Sequence, residues 1–246
     1  METPRLSAAE IAVVERDTVA AVAPPEVLEV AGWLVPLDDG TIGRAKSAVP
    51  LRHDLGPDAI GEIEDAYRSR GLKPAFRLAD VPTLRPVSAE LTRRGFAPQQ
   101  PTIFKTGAVT KLAAFSEASA RILDKPDEAW TAVFLGDGFD PTDGAHRVAA
   151  LTRSPGAIFG AAGEGGATRA VGVMSFGAEW AGIHGMRTAP AHRGKGYASA
   201  ILAAMGRVAQ VRVVTKVFLQ VEEPNPARRI YRAAGFAPIW RYYYWR

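Results

Sequence analysis

The 246-residue sequence predicts an α/β (α+β) chain in two halves, each a mixed, mostly antiparallel sheet flanked by helices. Three observations carry that prediction. The length suits two domains of roughly 120 residues better than one. Extended apolar runs alternate with segments of helical periodicity along the whole chain. The tetrapeptide GFAP occurs at 95–98 and again at 235–238, and the same 140-residue offset relates Pro50 to Pro190 and Gly56 to Gly196. A repeated word alone arises by chance in a chain this rich in Ala, Gly and Pro. Landmarks that keep its offset do not, so the sequence reads as two diverged copies, residues 1–108 and 109–246.

The elements follow in order. Ser7 to Glu10 (SAAE) has the form of a capping box before a short helix that stops near Pro24-Pro25. Residues 31–50 hold two extended runs around Asp38-Asp39-Gly40, a hairpin signal. Ile60, Ile63 and Tyr67 have helical spacing, with Gly71 as the stop. A strand at 75–78 and a helix at 88–94 lead to the first GFAP. The second half retells this sequence. A hairpin spans 170–190, and a helix over 196–210 carries the stripe Ile201, Leu202, Met205, Val208 and Ala209. A strand over 211–221 and a helix over 227–235 close on the second GFAP. The aromatic tail Ile239–Arg246 is either a closing strand pair between the copies or a wall of a binding pocket.

Composition removes several chemistries. Apolar residues make up 47%, enough for a packed core, and there is no cysteine. Thiol nucleophiles, disulfide redox and Cys-type zinc sites are therefore out, and the four histidines lack metal-ligand spacing. No apolar run is long enough to span a membrane, and Glu10, Glu15, Arg16 and Asp17 interrupt any apolar leader, so a cytoplasmic protein without membrane partners is expected. The net charge of +4 is uneven. Residues 1–108 hold 13 Lys/Arg and 15 Asp/Glu, whereas 109–246 hold 17 and 11. The excess flanks a glycine-rich turn and a late helix, which suits a compact polyanion rather than nucleic acid.

That turn is Arg193-Gly194-Lys195-Gly196, followed by Tyr197 and Ala198 at the start of a helix. Turn amides and the unpaired N–H groups of a helix N-terminus converge on one point, where the helix dipole adds positive charge. A phosphate or pyrophosphate would sit there with two cations beside it. At the 140-residue offset the first half has His53, Asp54, Leu55 and Asp58 instead, and carboxylates there would repel the anion. Tyr231 likewise aligns with Leu91.

These residues resemble the GNAT superfamily of acyl-CoA N-acyltransferases. Arg193-x-x-Gly196-x-Ala198 after Thr188-Ala189-Pro190 is similar to its pyrophosphate loop, and VEEPNPARRIYRAAGF at 221–236 to its second motif. The resemblance covers about 110–246, with the first half matching only in outline as a degenerate GNAT-like copy, and tandem arrangements are known in the superfamily. It implies acetyl-CoA as co-substrate, with Arg193, Gly194, Lys195, Gly196, Tyr197 and Ala198 around the pyrophosphate. It implies that the strand at 182–188 splays from the strand at 217–221, so that Met186 and Thr188 offer backbone groups to the pantetheine arm. Asn225 would contact that arm, although it stands one residue nearer Tyr231 than the family pattern has it, with Pro224 at the usual place. Tyr231 would protonate the departing thiolate.

Without cysteine, direct attack of a primary amine on the thioester in a ternary complex is the simplest chemistry. Candidate bases are His184, Glu179, Glu222 and Glu223, with His184 favoured because strand alternation puts it on the side of Met186 and Thr188. The acceptor expected is a small-molecule or peptide amine, with the first half a non-catalytic scaffold, either alone or with one wall of the acceptor site added. A CoA-binding pseudoenzyme or sensor is the rival reading, with a basic nucleic-acid binder behind it.

Overall fold

The structure is a computed structural model and describes residues 6–177 and 179–246. Ser7 caps the first helix, α1 (Ala8–Ala20), with the reciprocal Ser7–Glu10 capping box. Then come β1 (Glu26–Val30), β2 (Trp33–Leu37), β3 (Val49–Pro50), α2 (Ile60–Arg68), β4 (Phe76–Ala79), α3 (Arg85–Arg93) and β5 (Pro98–Ala108). The second half runs α4 (Val109–Ala113), β6 (Arg121–Leu123), α5 (Glu128–Leu135), α6 (Pro141–Thr152), β7 (Ile158–Glu164), β8 (Ala167–Phe176) and β9 (Trp180–Thr188). It ends with α7 (Tyr197–Val211), β10 (Lys216–Glu222), α8 (Arg228–Ala233) and β11 (Ala237–Trp245). The order α1–β1–β2–β3–α2–β4–α3–β5 is matched by α6–β7–β8–β9–α7–β10–α8–β11. Among the described residues no helix is long and apolar enough to cross a membrane.

The halves do not each own a complete sheet. β1-β2-β3 form a small sheet, and the other strands form one eight-stranded, mostly antiparallel sheet in the order β4-β11-β5-β10-β9-β8-β7-β6. β5, which closes the first half, pairs along its length with β10 of the second (Ala108↔Lys216 to Thr102↔Glu222). β11, which closes the second half, pairs with β4 of the first (Phe76↔Trp245 to Ala79↔Tyr242). β5 and β11 pair with each other between them. Each GFAP thus precedes a strand that crosses to the other half. Exchange hides edges that would otherwise present unpaired N–H and C=O groups to solvent.

The core follows the exchange. Tyr242, Tyr244 and Trp245 of β11 pack with Trp33, Ile60, Ile63, Tyr67 and Phe76 of the first half. Tyr67 is fully buried and its hydroxyl donates to the Pro36 carbonyl at 3.0 Å. The only way to bury Arg77 there is to pair it, and Glu15 of α1 meets it at 2.6 Å with both side chains excluded from solvent. In the second half the predicted stripe of α7 buries Ile201, Leu202, Met205 and Ala209 against β7–β9, while Val208 is half-buried.

One local expectation is completed by the structure and another is corrected. The two runs around Asp38-Asp39-Gly40 do pair antiparallel (β2 with β3, Trp33↔Pro50 and Leu34↔Val49), but a tighter hairpin precedes them, in which Ala31-Gly32, both in the left-handed region (φ 46° and 83°), join β1 to β2. The aspartates start an excursion through a 3₁₀ turn, Gly43–Ala45, before the chain returns as β3. Residues 211–215 are not strand. Val211 ends α7, Val213 turns the chain at φ 61°, and β10 begins only at Lys216.

Candidate active site

The site is built where two neighbouring parallel strands part. β9 and β10 pair from Trp180↔Lys216 to Ile183↔Leu219 and no further. Beyond that point residues 184–188 of β9 keep only β8 as a partner, which leaves one backbone edge facing the gap. This is the predicted splay, and an extended ligand arm can add to such an edge.

A bulge sets the side chains around the gap. Val173 pairs with His184 and Val171 with Arg187, so β9 inserts an extra residue at Gly185-Met186, with Gly185 at φ 58°. Alternation is broken there. Ile183 and Met186 face α7 and its core, whereas His184 points to the opposite side, toward Ser175 and Phe218. The shared parity of His184 with Met186 and Thr188, which recommended His184 as base, is therefore absent. His184 nevertheless lines the cavity in the gap.

That cavity, about 220 Å³, opens through the splay and draws on both halves. Gly185, Met186, Tyr231 and Asn225 line it on the second-half side, and Ile42, Gly43 and Arg44 of the 3₁₀ turn with Gln100 and Thr102 line it from the first half. Tyr242 and Tyr244 complete it, so the aromatic tail is both an exchanged strand and a pocket wall. Tyr231 is buried against Phe236, and desolvation pushes its hydroxyl up to about 12. His184 is 3% exposed, its Nε2 shares a 2.9 Å hydrogen bond with Ser175 Oγ, and its Nδ1 has no partner among the described residues. Burial first, and then the Arg44 charge, holds its pKa well below the usual histidine range. Of the other candidate bases only Glu222 lines this cavity; Glu223 pairs with Arg241 outside it, and Glu179 lies at the far end of β9.

The glycine-rich turn lies next along the chain. Pro190–His192 make a 3₁₀ turn, then Gly194 (φ 79°) and Gly196 (φ 82°) bring the chain into α7 with Gly196 as N-cap. At neither glycine would a Cβ meet an atom within 4 Å, so what requires glycine is the left-handed backbone and not close packing. Thr188, Arg193, Tyr197 and Ala198 line the hollow above this turn. Arg193 is exposed and makes no ion pair among the described residues. Lys195 is committed to Glu164 at 2.8 Å, so of the two predicted cations one is already partnered. Asn225 uses its side-chain oxygen to accept from the Ala227 N–H at 2.9 Å, which holds the turn into α8. In the first half the aligned segment holds an Arg52–Asp54 ion pair, Gly56 is not left-handed, α2 starts only at Ile60, and Leu91 is core.

Sequence reasoning missed Arg44 as a lining residue of the cavity and offered Tyr242 and Tyr244 only as part of the aromatic tail. No local motif marks them, because the fold brings them together from opposite ends of the chain.

Residues 8–245 match the family model described as "Probable histone acetyltransferase Rv0428c C-terminal". The chain belongs to that family. Its fold is that of the GCN5-related N-acetyltransferases (GNAT). A GCN5-related N-acetyltransferase from Kribbella flavida superposes with a TM-score of 0.72 at 16% identity, covering 98% of this chain and 95% of that one. A functionally unknown conserved protein from Staphylococcus epidermidis gives 0.69 at 12% identity, covering 91% and 94%. A tandem GNAT protein from the clavulanic acid biosynthesis pathway gives 0.62 at 14% identity, covering 99% and 97%. No curated protein matches the chain. Within the family fold, the splay, the bulge and the glycine turn all lie on the second half.

Proposed function

We propose that this chain is an acyl-CoA-dependent N-acyltransferase that moves an acetyl group from acetyl-CoA to a primary amine by direct transfer, and that its first half is a diverged copy without the anion cradle. The observation that carries the reading is the parting of β9 from β10 beside the Arg193–Gly196 turn, with Tyr231 in the gap. A CoA-sized ligand suits these residues. The turn offers left-handed glycines with open space above them, and β9 offers a free edge leading from the turn to the cavity.

Acetyl-CoA supplies an activated acyl group as a thioester. Arg193 and the turn amides hold the pyrophosphate, aided by the N-terminus of α7. The free edge of β9 at Met186 and Thr188 holds the arm, and the amide of Asn225 closes over it. The bulge at Gly185 turns backbone N–H toward the reacting carbonyl, where charge develops. His184, kept neutral, takes the amine proton directly or through water, and Tyr231 gives a proton to the departing sulfur. The absence of cysteine favours this ternary route.

Thermal-shift titration with acetyl-CoA tests the reading. Ligand at a hundredfold excess over Kd adds about 2.7 kcal/mol, which for a chain of this size raises Tm by about 5–10 °C. Arg193→Glu should lose most of that shift while leaving the apo Tm in place. A wild type that acetyl-CoA does not stabilise would sink the assignment.

A further inference from the structure

The cavity beyond the splay contains a cation without a counter-ion. Arg44 sits on the 3₁₀ turn of the first half, reaches into the cavity, and makes no ion pair among the described residues. Its one side-chain hydrogen bond there is from Nη1 to Gln220 Oε1, at 2.6 Å. The titratable groups that interact with it are Tyr242, Tyr244, Arg77, Arg147 and His184, none of them a carboxylate. Arg77 already belongs to Glu15. Arg147 and Arg187 also line the cavity, and both lean on a single oxygen of Asp143, at 2.7 and 3.0 Å. Positive charge therefore outweighs negative at this end. The carboxylate that does line the cavity, Glu222, lies two residues beyond Gln220 on β10 and accepts from Gln100 Nε2 at 2.8 Å.

Arg44 is fixed in place rather than free to swing. Ser47 Oγ donates to the Gly43 carbonyl at 2.7 Å and locks the turn. Gly43 lies so close to Tyr244 that a Cβ would come within 2.7 Å of its ring. Gln220, which accepts from Arg44, is itself anchored by donating to Thr18 Oγ1 of α1 at 3.0 Å. Holding a half-buried guanidinium without a carboxylate costs stability. A planar fork of N–H donors so held is matched by a carboxylate.

Resting on the acyltransferase reading above, we propose that the acceptor is a small amine bearing a carboxylate, which docks on Arg44 with its amine toward the splay, between Glu222 and His184. The cavity of about 220 Å³ is smaller than the roughly 300–1,000 Å³ of drug-sized ligand sites, which suits a compact amino acid-like molecule. Its cationic end repels the lysine-rich segments that a histone tail would bring. Arg44 is also the charge that, after burial, depresses the basicity of His184. A carboxylate on Arg44 would relieve that effect as the amine arrives.

The test is calorimetric binding of N-acetyl amino acids of graded length, each against its C-terminal amide, to the full chain saturated with CoA. These probes represent the product and need no turnover. On the wild type the best acid should bind about 10–100-fold tighter than its amide, the scale of a charge-assisted contact. Arg44→Gln should bring that ratio close to one while CoA still raises Tm. Gln220→Glu keeps the guanidinium and the side-chain shape but gives it an internal carboxylate, so it should abolish the preference even if Arg44→Gln fails to fold. A CoA-stabilised wild type that binds acids no better than amides would overturn the inference, as would an acid preference that survives either variant. A wild type that CoA does not stabilise overturns the acyltransferase reading itself, and this inference with it.

Discussion

Tyr231 has its ring against Phe236 and lines the cavity, and burial alone raises its hydroxyl to about 12. It therefore stays protonated through neutral and mildly alkaline pH, the form a proton donor needs. Tyr231→Phe removes one oxygen and leaves the packing. The expected result is a kcat lower by about 100-fold or more, with the Tm shift from acetyl-CoA unchanged. A sensor without turnover would show the same binding and no rate to lose, so steady-state release of CoA thiol in wild type and variant separates the two. The sequence singles out this tyrosine because it falls inside a local motif, as it does Arg193, Gly194 and Gly196. It does not single out Arg44. No motif marks it, and only the folded chain shows its neighbours, Gln220, Tyr242 and Tyr244.

Among the elements, those with strong local signals were read correctly from the sequence. The Ser7–Glu10 box caps α1, and the apolar stripe of α7 is its buried face. The β2–β3 pairing around Asp-Asp-Gly was read, but the tight β1–β2 hairpin before it was missed because its turn uses Ala31 at φ 46°, a conformation alanine seldom adopts. The bulge in β9 left no signal either, since one extra residue in a strand does not disturb a hydrophobic run. It is nonetheless the feature that divides His184 from Met186. Gly185 permits it, at φ 58°, and an added Cβ would meet Leu151 Cδ1 at 2.8 Å and Phe134 Cζ at 3.2 Å. Gly185→Ala must therefore bear a left-handed alanine, about 1–2 kcal/mol, as well as the contact with Leu151. Thermal unfolding should show Tm lower by about 2–8 °C, and kcat should fall with it as the strand re-registers. An unchanged Tm with full activity would mean that neither the bulge nor its conformation matters to the site.

At the scale of the whole molecule, the halves are bound by exchange of their last strands, which the sequence could not reveal because GFAP keeps its offset whichever way the following strand turns. The expected boundary near residue 108 falls between the end of β5 and the start of α4, and a cut there would separate strands that depend on each other. A fragment of residues 1–108 would lose β11, leaving β4 without its partner and the first core without Tyr242, Tyr244 and Trp245. Its own β5 would have neither β10 nor β11 beside it. A fragment of residues 109–246 would keep the glycine turn, Tyr231 and the splay but would expose one edge of β10 and both edges of β11, and it would lack Arg44. Unpaired edges of that length invite aggregation. Each fragment made alone should therefore lack a cooperative thermal transition and should aggregate on size-exclusion chromatography. Made together, the fragments should elute as one species that acetyl-CoA stabilises, whereas the intact chain unfolds in one calorimetric transition. If residues 109–246 alone proved monomeric, unfolded cooperatively and bound acetyl-CoA as tightly as the full chain, the exchanged strands would not be what joins the halves, and the first half would be dispensable to the cradle.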